Sequence, residues 1–199
     1  MKRFLLLALL LPACAYFGPA NDLSTKEGAW AQARDAATRT AKVYNVLDDV
    51  AFATATWQSS EVRAARVERL AQWKGMLPAE KAALTAREKA EEAEGEEFLL
   101  AFFTDDRRAN DLATDRGTWR VSLLVDGTEQ AVAAKVTLVK KDPTLQILYP
   151  YITDFDTLYR VRFPKFPGPR PLQALPFDLR IAGALGTMKM SWTPAKPAP

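Results

Sequence analysis

The sequence predicts an α+β fold: an N-terminal helical segment of two to three helices, then an antiparallel β-sandwich of about seven strands, immunoglobulin-like in size. Three observations predict it. Apolar residues recur at steps of three and four from Trp30 onward. After Glu97 the step changes to two. Turn signals then follow at short intervals, with Asp126-Gly127 the clearest hairpin signal.

Ser24-Thr25-Lys26-Glu27 has the layout of a capping box, which opens the first helix. Trp30, Ala33, Ala37, Ala41, Tyr44 and Leu47 then form one helical stripe. Val43, Val46, Val50, Ala53 and Trp57 run beside it, and Ala29 to Trp57 holds no Gly or Pro. Ser59-Ser60 caps a second helix with Val62, Val67, Leu70, Trp73 and Leu77 on its apolar side, weakened at its end by Gly75. Pro78 suits the first turn of a third helix over Ala79 to Glu94, which Gly95 stops. That helix has few large apolar residues, so the spacing predicts light packing. Its acidic run from Glu91 to Glu97 reads as a solvated face.

Strands are expected over Phe98–Thr104 and Trp119–Val125, and over a return strand carrying Val132, Ala134, Val136 and Leu138. Further strands are expected at Leu145–Tyr151, Tyr159–Phe163, Phe177–Ile181 and Met188–Trp192. Asp105 to Gly117 is a polar loop, and Pro164 to Pro176 is rich in proline. Trp30, Trp57, Trp73, Trp119 and Trp192 fall at apolar positions, so core packing is their expected role.

Charge and composition exclude several classes. The 199 residues carry a formal charge of +3 and no histidine. Lys2 and Arg3 supply two of those charges, which leaves no strongly basic body of the kind that binds nucleic acid. Without histidine there is no Ser-His-Asp or Cys-His mechanism and no common zinc site. No cofactor motif, catalytic constellation or metal-ligand spacing appears. Residues 24–97 are net acidic and residues 98–199 net basic, so the helical part has a charge reason to dock on the sheets.

Lys2-Arg3, the apolar run Phe4 to Leu11 and Leu11-Pro12-Ala13-Cys14 have the order of a secretory signal peptide. The run is far shorter than the roughly 20 residues a spanning helix needs. Ending on cysteine, it resembles the lipobox of bacterial lipoproteins. That resemblance implies lipid attachment to the Cys14 thiol, cleavage before it, and acylation of the new amino terminus. With Ala15 rather than Asp after the cysteine, it implies an outer-membrane lipoprotein facing the periplasm. The expected organisation is a signal peptide (1–13), a lipidated tether (14–23), the helical segment (24–97), the sandwich (98–193) and a loose tail (194–199). Cys14 is the chain's one cysteine, so no disulfide staples the fold.

Candidate contacts are few. Arg160, Arg162, Lys165 and Arg170 form a basic row suited to phosphate or carboxylate. Asp105, Asp106, Asn110, Asp111 and Asp115 share one loop, and Asp154 and Asp156 another; turn chemistry is their expected role. The expected partners are the membrane, through the N-terminal lipid, and an envelope protein. The expected function is a non-catalytic binding or scaffold module of the cell envelope. The alternatives are an envelope enzyme acting on glycan or cell wall through loop carboxylates, and a carrier of an apolar ligand.

Overall fold

The computed structural model describes residues 23–45, 48–133 and 135–194, and the side chains of residues 28–44, 50–133 and 135–194. The elements run α1 (Leu23–Ala37), β1 (Thr38–Asn45), β2 (Asp48–Trp57), α2 (Ser60–Lys74), α3 (Pro78–Glu94) and β3 (Glu96–Thr104). They continue with β4 (Trp119–Val125), β5 (Thr128–Val132), β6 (Lys135–Leu138), α4 (Pro143–Leu148), β7 (Thr157–Phe163), β8 (Phe177–Gly183) and β9 (Gly186–Trp192). The fold is α+β, with two antiparallel sheets ordered β1-β2-β3-β7-β6 and β5-β4-β8-β9.

Alternation along the strands builds the core between the sheets. Ala53, Phe98, Phe102 and Val161 of the large sheet meet Trp119, Leu123, Leu179 and Met190 of the small one. Edge-on ring pairs cross the interface, Trp57 with Phe177 and Phe102 with Trp119, at centroid distances of 4.9 and 5.6 Å. The other face of the large sheet is covered by helices. There Trp30, Val62, Leu148 and Tyr149 pack on Leu99, Ala101 and Leu158. The layers are therefore helices, large sheet, small sheet.

The helix expected over Ala29–Trp57 ends at Ala37, and residues 38–57 form the β1–β2 pair instead. The N-terminal helical segment is thus interrupted by a hairpin that belongs to the large sheet. The reason is an ambiguity of period. Ala51, Ala53, Ala55 and Trp57 also alternate, and all four are buried in the inter-sheet core. The β-branched Thr38 and Thr40 face Thr56 and Thr54 across the pair, with hydroxyl contacts of 2.7 and 3.1 Å. Tyr44, expected on a buried stripe, is exposed. The capping box at Ser24–Glu27 lies outside the described side chains, as do Val46 and Leu47.

The strand expected at Leu145–Tyr151 is helix α4. Asp142 is its N-cap, accepting from Leu145 N at 2.9 Å, and Pro143 fills the first helical position. The expected return strand divides into β5 and β6, which join different sheets, and Val132 and Leu138 are exposed rather than buried. The strand count is accordingly higher than expected.

Elsewhere the punctuation works as expected. Ser59 caps α2 by accepting from Val62 N, and Gly75 ends it in a left-handed conformation at φ +57°. Asp126 and Gly127 both have positive φ, the requirement of a type I′ hairpin. Trp73 is the exception among the tryptophans: it is exposed, with the Arg69 guanidinium 4.5 Å from its ring centroid. Among the described residues no helix is long and apolar enough to cross a membrane.

Candidate functional site

The charges of the helices and of β7 meet in one network. Arg63 of α2 is almost fully buried. Its Nη1 donates to Glu88 Oε2 at 2.8 Å, and its Nε donates to the Gln58 carbonyl at 3.0 Å. Arg66, one turn further along the same face, donates to Glu88 Oε2, to the Gln58 side-chain oxygen and, at 3.0 Å, to the Tyr149 hydroxyl. Tyr149 in turn donates to Gln58 Oε1 at 3.1 Å. Burial works against the Glu88 charge, but Arg66 and Arg63 outweigh it and hold its pKa below the ordinary glutamate value. Burial likewise opposes the Arg66 charge, and Tyr149 and Glu88 outweigh it, raising its pKa further.

The basic row of β7 joins the same network from the sheet side. Glu97 receives Arg162 Nε at 2.8 Å and has Arg160 Nε at 3.3 Å. Lys165 Nζ lies 3.2 Å from Glu96 Oε1. Arg162 also reaches Glu94, at 3.4 Å. Burial opposes the Arg162 charge, but its bond to Glu97 raises its pKa. Arg170 lies apart, exposed in the proline-rich loop. Alternation does put Arg160 and Arg162 on one face, with Tyr159, Val161 and Phe163 buried on the other. That face is turned towards the helices. The acidic run expected to be solvated is its counterpart: Glu96 and Glu97 are buried and ion-paired.

A cleft of about 480 Å³ opens beside this network, between α2, α3 and α4. Arg66, Lys74, Arg87 and Arg160 reach it from three elements, and Leu70, Leu145 and Leu148 give it an apolar wall. Glu88, Glu91 and Asp142 also line it. All three acids are engaged: Glu88 by Arg63 and Arg66, Glu91 by Arg63 and Arg162, and Asp142 by the α4 backbone. Lys74 and Arg87 are exposed and have no ion pair among the described residues. Arg160 keeps nearly half of its side chain in solvent. Such a cleft offers cations to an anionic group and aliphatic side chains to whatever carries it.

The aspartate loops serve the backbone. Asp111 Oδ2 accepts from Thr118 N and Oγ1 at 2.8 and 2.9 Å. Asp156 Oδ2 accepts from Thr153 N and Oγ1, both at 2.7 Å. Asp106 caps a 3-10 turn by accepting from Arg108 N. Among the described residues no group of three or more Cys, Asp or Glu is arranged to hold a metal ion. Cys14 lies outside the described residues.

Of the basic row, Arg160 alone lines the cleft. Arg66, Lys74, Arg87 and Gln58 are absent from the sequence reading, and Tyr149 enters it only as a residue of an expected strand. The signal that finds part of the set is spacing: Arg63 and Arg66 are three apart, as are Glu88 and Glu91, so each pair shares a helix face. In comparisons with known proteins, the chain matches no family model, no curated protein and no solved structure.

Proposed function

We propose that the chain is a lipid-anchored, non-catalytic binding module of the bacterial cell envelope, tethered at the outer membrane with its fold in the periplasm. In this reading Cys14 carries the lipid, and an acidic group of an envelope protein enters the cleft between α2, α3 and α4. The observation that supports the binding role is the convergence of Lys74, Arg87, Arg66 and Arg160 on one cleft beside aliphatic side chains. Arg66 is fixed from behind by Gln58, Glu88 and Tyr149, so its position is set before a ligand arrives. The anchoring rests on Leu11-Pro12-Ala13-Cys14 and the basic, apolar run before it.

The test is a capture from detergent-solubilised envelopes with three forms: the wild type, Cys14→Ser, and the double variant Lys74→Glu, Arg87→Glu. Metabolic labelling with palmitate reads the anchor independently. Label on the wild type and none on Cys14→Ser is expected. A defined envelope protein recovered with the first two forms and lost with the third supports the cleft as its site. Equal recovery with all three removes the cleft from the reading, and an unlabelled wild type removes the anchor.

A further inference from the structure

Helix α3 is held to the body by charge and by little else. Leu84 is its one large apolar residue, and it is half-buried and joins neither core cluster. Glu88 pairs with Arg63 and Arg66 of α2. Glu91 has Arg63 at 3.5 Å and Arg162 of β7 at 3.8 Å. Glu94 has Arg162 at 3.4 Å. Glu92 accepts from the Ser60 hydroxyl, and its carbonyl accepts from Lys165 at 3.4 Å. In these ion pairs α3 supplies the anions, and α2 and β7 the cations. Nearer the start of α3, Lys81 pairs with Glu68 at 2.6 Å, with both side chains partly in water.

The ground between α2 and α3 is not filled. A cavity of about 250 Å³ lies there, lined by Ala64 and Val67 of α2 and Thr85 of α3. Unfilled space gives up dispersion contacts on both of its walls. Val67 is buried, yet it joins neither core cluster, because its cover is α3. The other helices are seated differently. Trp30 of α1, Val62 at the start of α2 and Leu148 of α4 all belong to the apolar cluster on the large sheet.

Charge and apolar burial respond differently to release. Two ions that part regain their hydration, which offsets much of the attraction they lose. An apolar side chain that leaves its core has no such compensation. Releasing α3 as a whole therefore costs less than releasing a helix seated by apolar side chains. The joints are glycines: α3 stands between Gly75, at φ +57°, and Gly95. The last turn of α3 carries Glu91, Glu92 and Glu94 and no basic residue, at the negative end of the helix dipole. Arg162 and Lys165 offset that charge only while the helix is seated.

We propose that α3 is a strap that leaves the body as a unit, about Gly75 and Gly95, while the two sheets stay folded, and that its seating makes and unmakes the cleft. Arg87, Glu88 and Glu91 line the cleft from α3 and depart with it. Arg63 and Val67, both buried, come into water. An anionic group that bridges Arg87 to Lys74 or Arg160 binds the seated form alone, so it holds the strap down as it binds. That consequence rests on the cleft reading above, whereas the opening itself does not.

The chain from residue 14 with Cys14→Ser keeps every described residue and holds no other thiol. Val67→Cys then places a single thiol beneath α3. Amide exchange and maleimide labelling are measured together under native conditions. The α3 amides should be at least a hundredfold less protected than the buried amides of β3 and β7, and the thiol at position 67 should open with them. Ile181→Val, in the core between the sheets, should speed exchange in β3 and β7 about fivefold. It should leave the α3 amides and the thiol unchanged, because the open strap keeps that core intact. A rise by the same factor at α3 and at position 67 means that α3 leaves only with the whole fold, and overturns the proposal. So does a thiol that stays protected while α3 amides exchange one by one, which is fraying.

The open form can also be populated outright. Glu88→Lys with Glu91→Lys sets like charges against Arg63, Arg66 and Arg162. The thiol at position 67 should then label at least a hundredfold faster, while tryptophan fluorescence still reports a cooperative melt. Loss of that melt makes α3 part of the minimal fold and overturns the proposal. Where the wild type captures an envelope protein, the open variant should lose it; equal capture breaks the link between strap and cleft. Where none is captured the cleft reading fails, and the labelling rates still decide the strap.

Discussion

Arg63 Nη1 and Glu88 Oε2 lie 2.8 Å apart across the interface of α2 and α3, with both side chains almost excluded from water. α3 buries no large apolar side chain, and Glu88 is its one buried residue. Its attachment to the body thus depends on charge to an unusual degree. Removing one partner of a buried pair leaves a desolvated charge and costs about 3–5 kcal/mol. Arg63→Met should therefore destabilise the fold by about 3 kcal/mol in urea denaturation. Lys81→Met, which breaks an exposed pair with Glu68, should cost under about 1 kcal/mol. Equal losses would contradict this account of α3.

The same carboxylate makes stability depend on pH. The folded pKa of Glu88 lies below its ordinary value of 4.5. The unfolded chain therefore binds the proton more tightly. The contribution is fully present above pH 4.5 and is lost as the pH falls through the lower folded pKa. Urea midpoints measured from neutral pH down to pH about 3 should fall less steeply for Glu88→Gln than for the wild type. Parallel curves would show that other carboxylates carry the acid transition.

Helix α4 hangs on one cap. Asp142 accepts from Leu145 N, and the six-residue helix has a single turn and a half in which to recover that bond. Asp142→Ala should cost about 1 kcal/mol in a thermal melt, and Asp142→Asn should retain most of the stability. Leu148 and Tyr149 pack behind this cap, so the alanine variant should also loosen the Arg66–Tyr149 contact.

Gly95 is a matter of space. A Cβ there would stand 2.2 Å from the Phe163 carbonyl oxygen, a backbone atom. The glycine lets α3 turn directly into β3 beside β7, which brings Glu96 and Glu97 against Lys165, Arg160 and Arg162. Gly95→Ala should cost about 1–3 kcal/mol through displaced backbone. Gly127→Ala, with open space around it but φ at +76°, should cost about 1 kcal/mol through conformation alone. Denaturation curves for the two variants separate crowding from strain.

The strands with one buried face were legible in the sequence. Trp119, Val121 and Leu123, and Phe177, Leu179 and Ile181, alternate with polar residues and turn where Gly or Asp-Gly stands. β2 was not legible, because its alanines fit a helical stripe as well as an alternation; the pairing of Thr54 and Thr56 with Thr40 and Thr38 decides the matter only once β1 is alongside. α4 was misread because Leu145, Ile147, Tyr149 and Tyr151 alternate by accident, while Asp142-Pro143 ahead of them is a helix start. Of the cleft, Arg160 was visible as a charged strand residue. Its neighbours Lys74 and Arg87 sit on helices whose facing depends on how α2 and α3 return to the sheet, which local periodicity does not encode.

Lys74 and Arg87 separate folding from binding. Both are exposed, and neither has an ion pair among the described residues, so reversing their charge should shift stability by no more than about 0.5 kcal/mol. The cleft keeps Arg66 and Arg160, but its net charge turns acidic, and the approach of an acidic group becomes unfavourable. Capture of the envelope partner should therefore be lost in Lys74→Glu, Arg87→Glu while the melting temperature stays in place. The wild-type complex should also weaken as salt is raised, because Lys74 and Arg87 act through solvent and are screened within about 10 Å at 0.1 M. The contacts of Arg66 with Glu88 and Tyr149 are shielded from that screening, so the fold itself should be indifferent to the same salt. A complex that survives high salt and the double reversal would be held by apolar contact alone, and the cations of the cleft would then have no part in it.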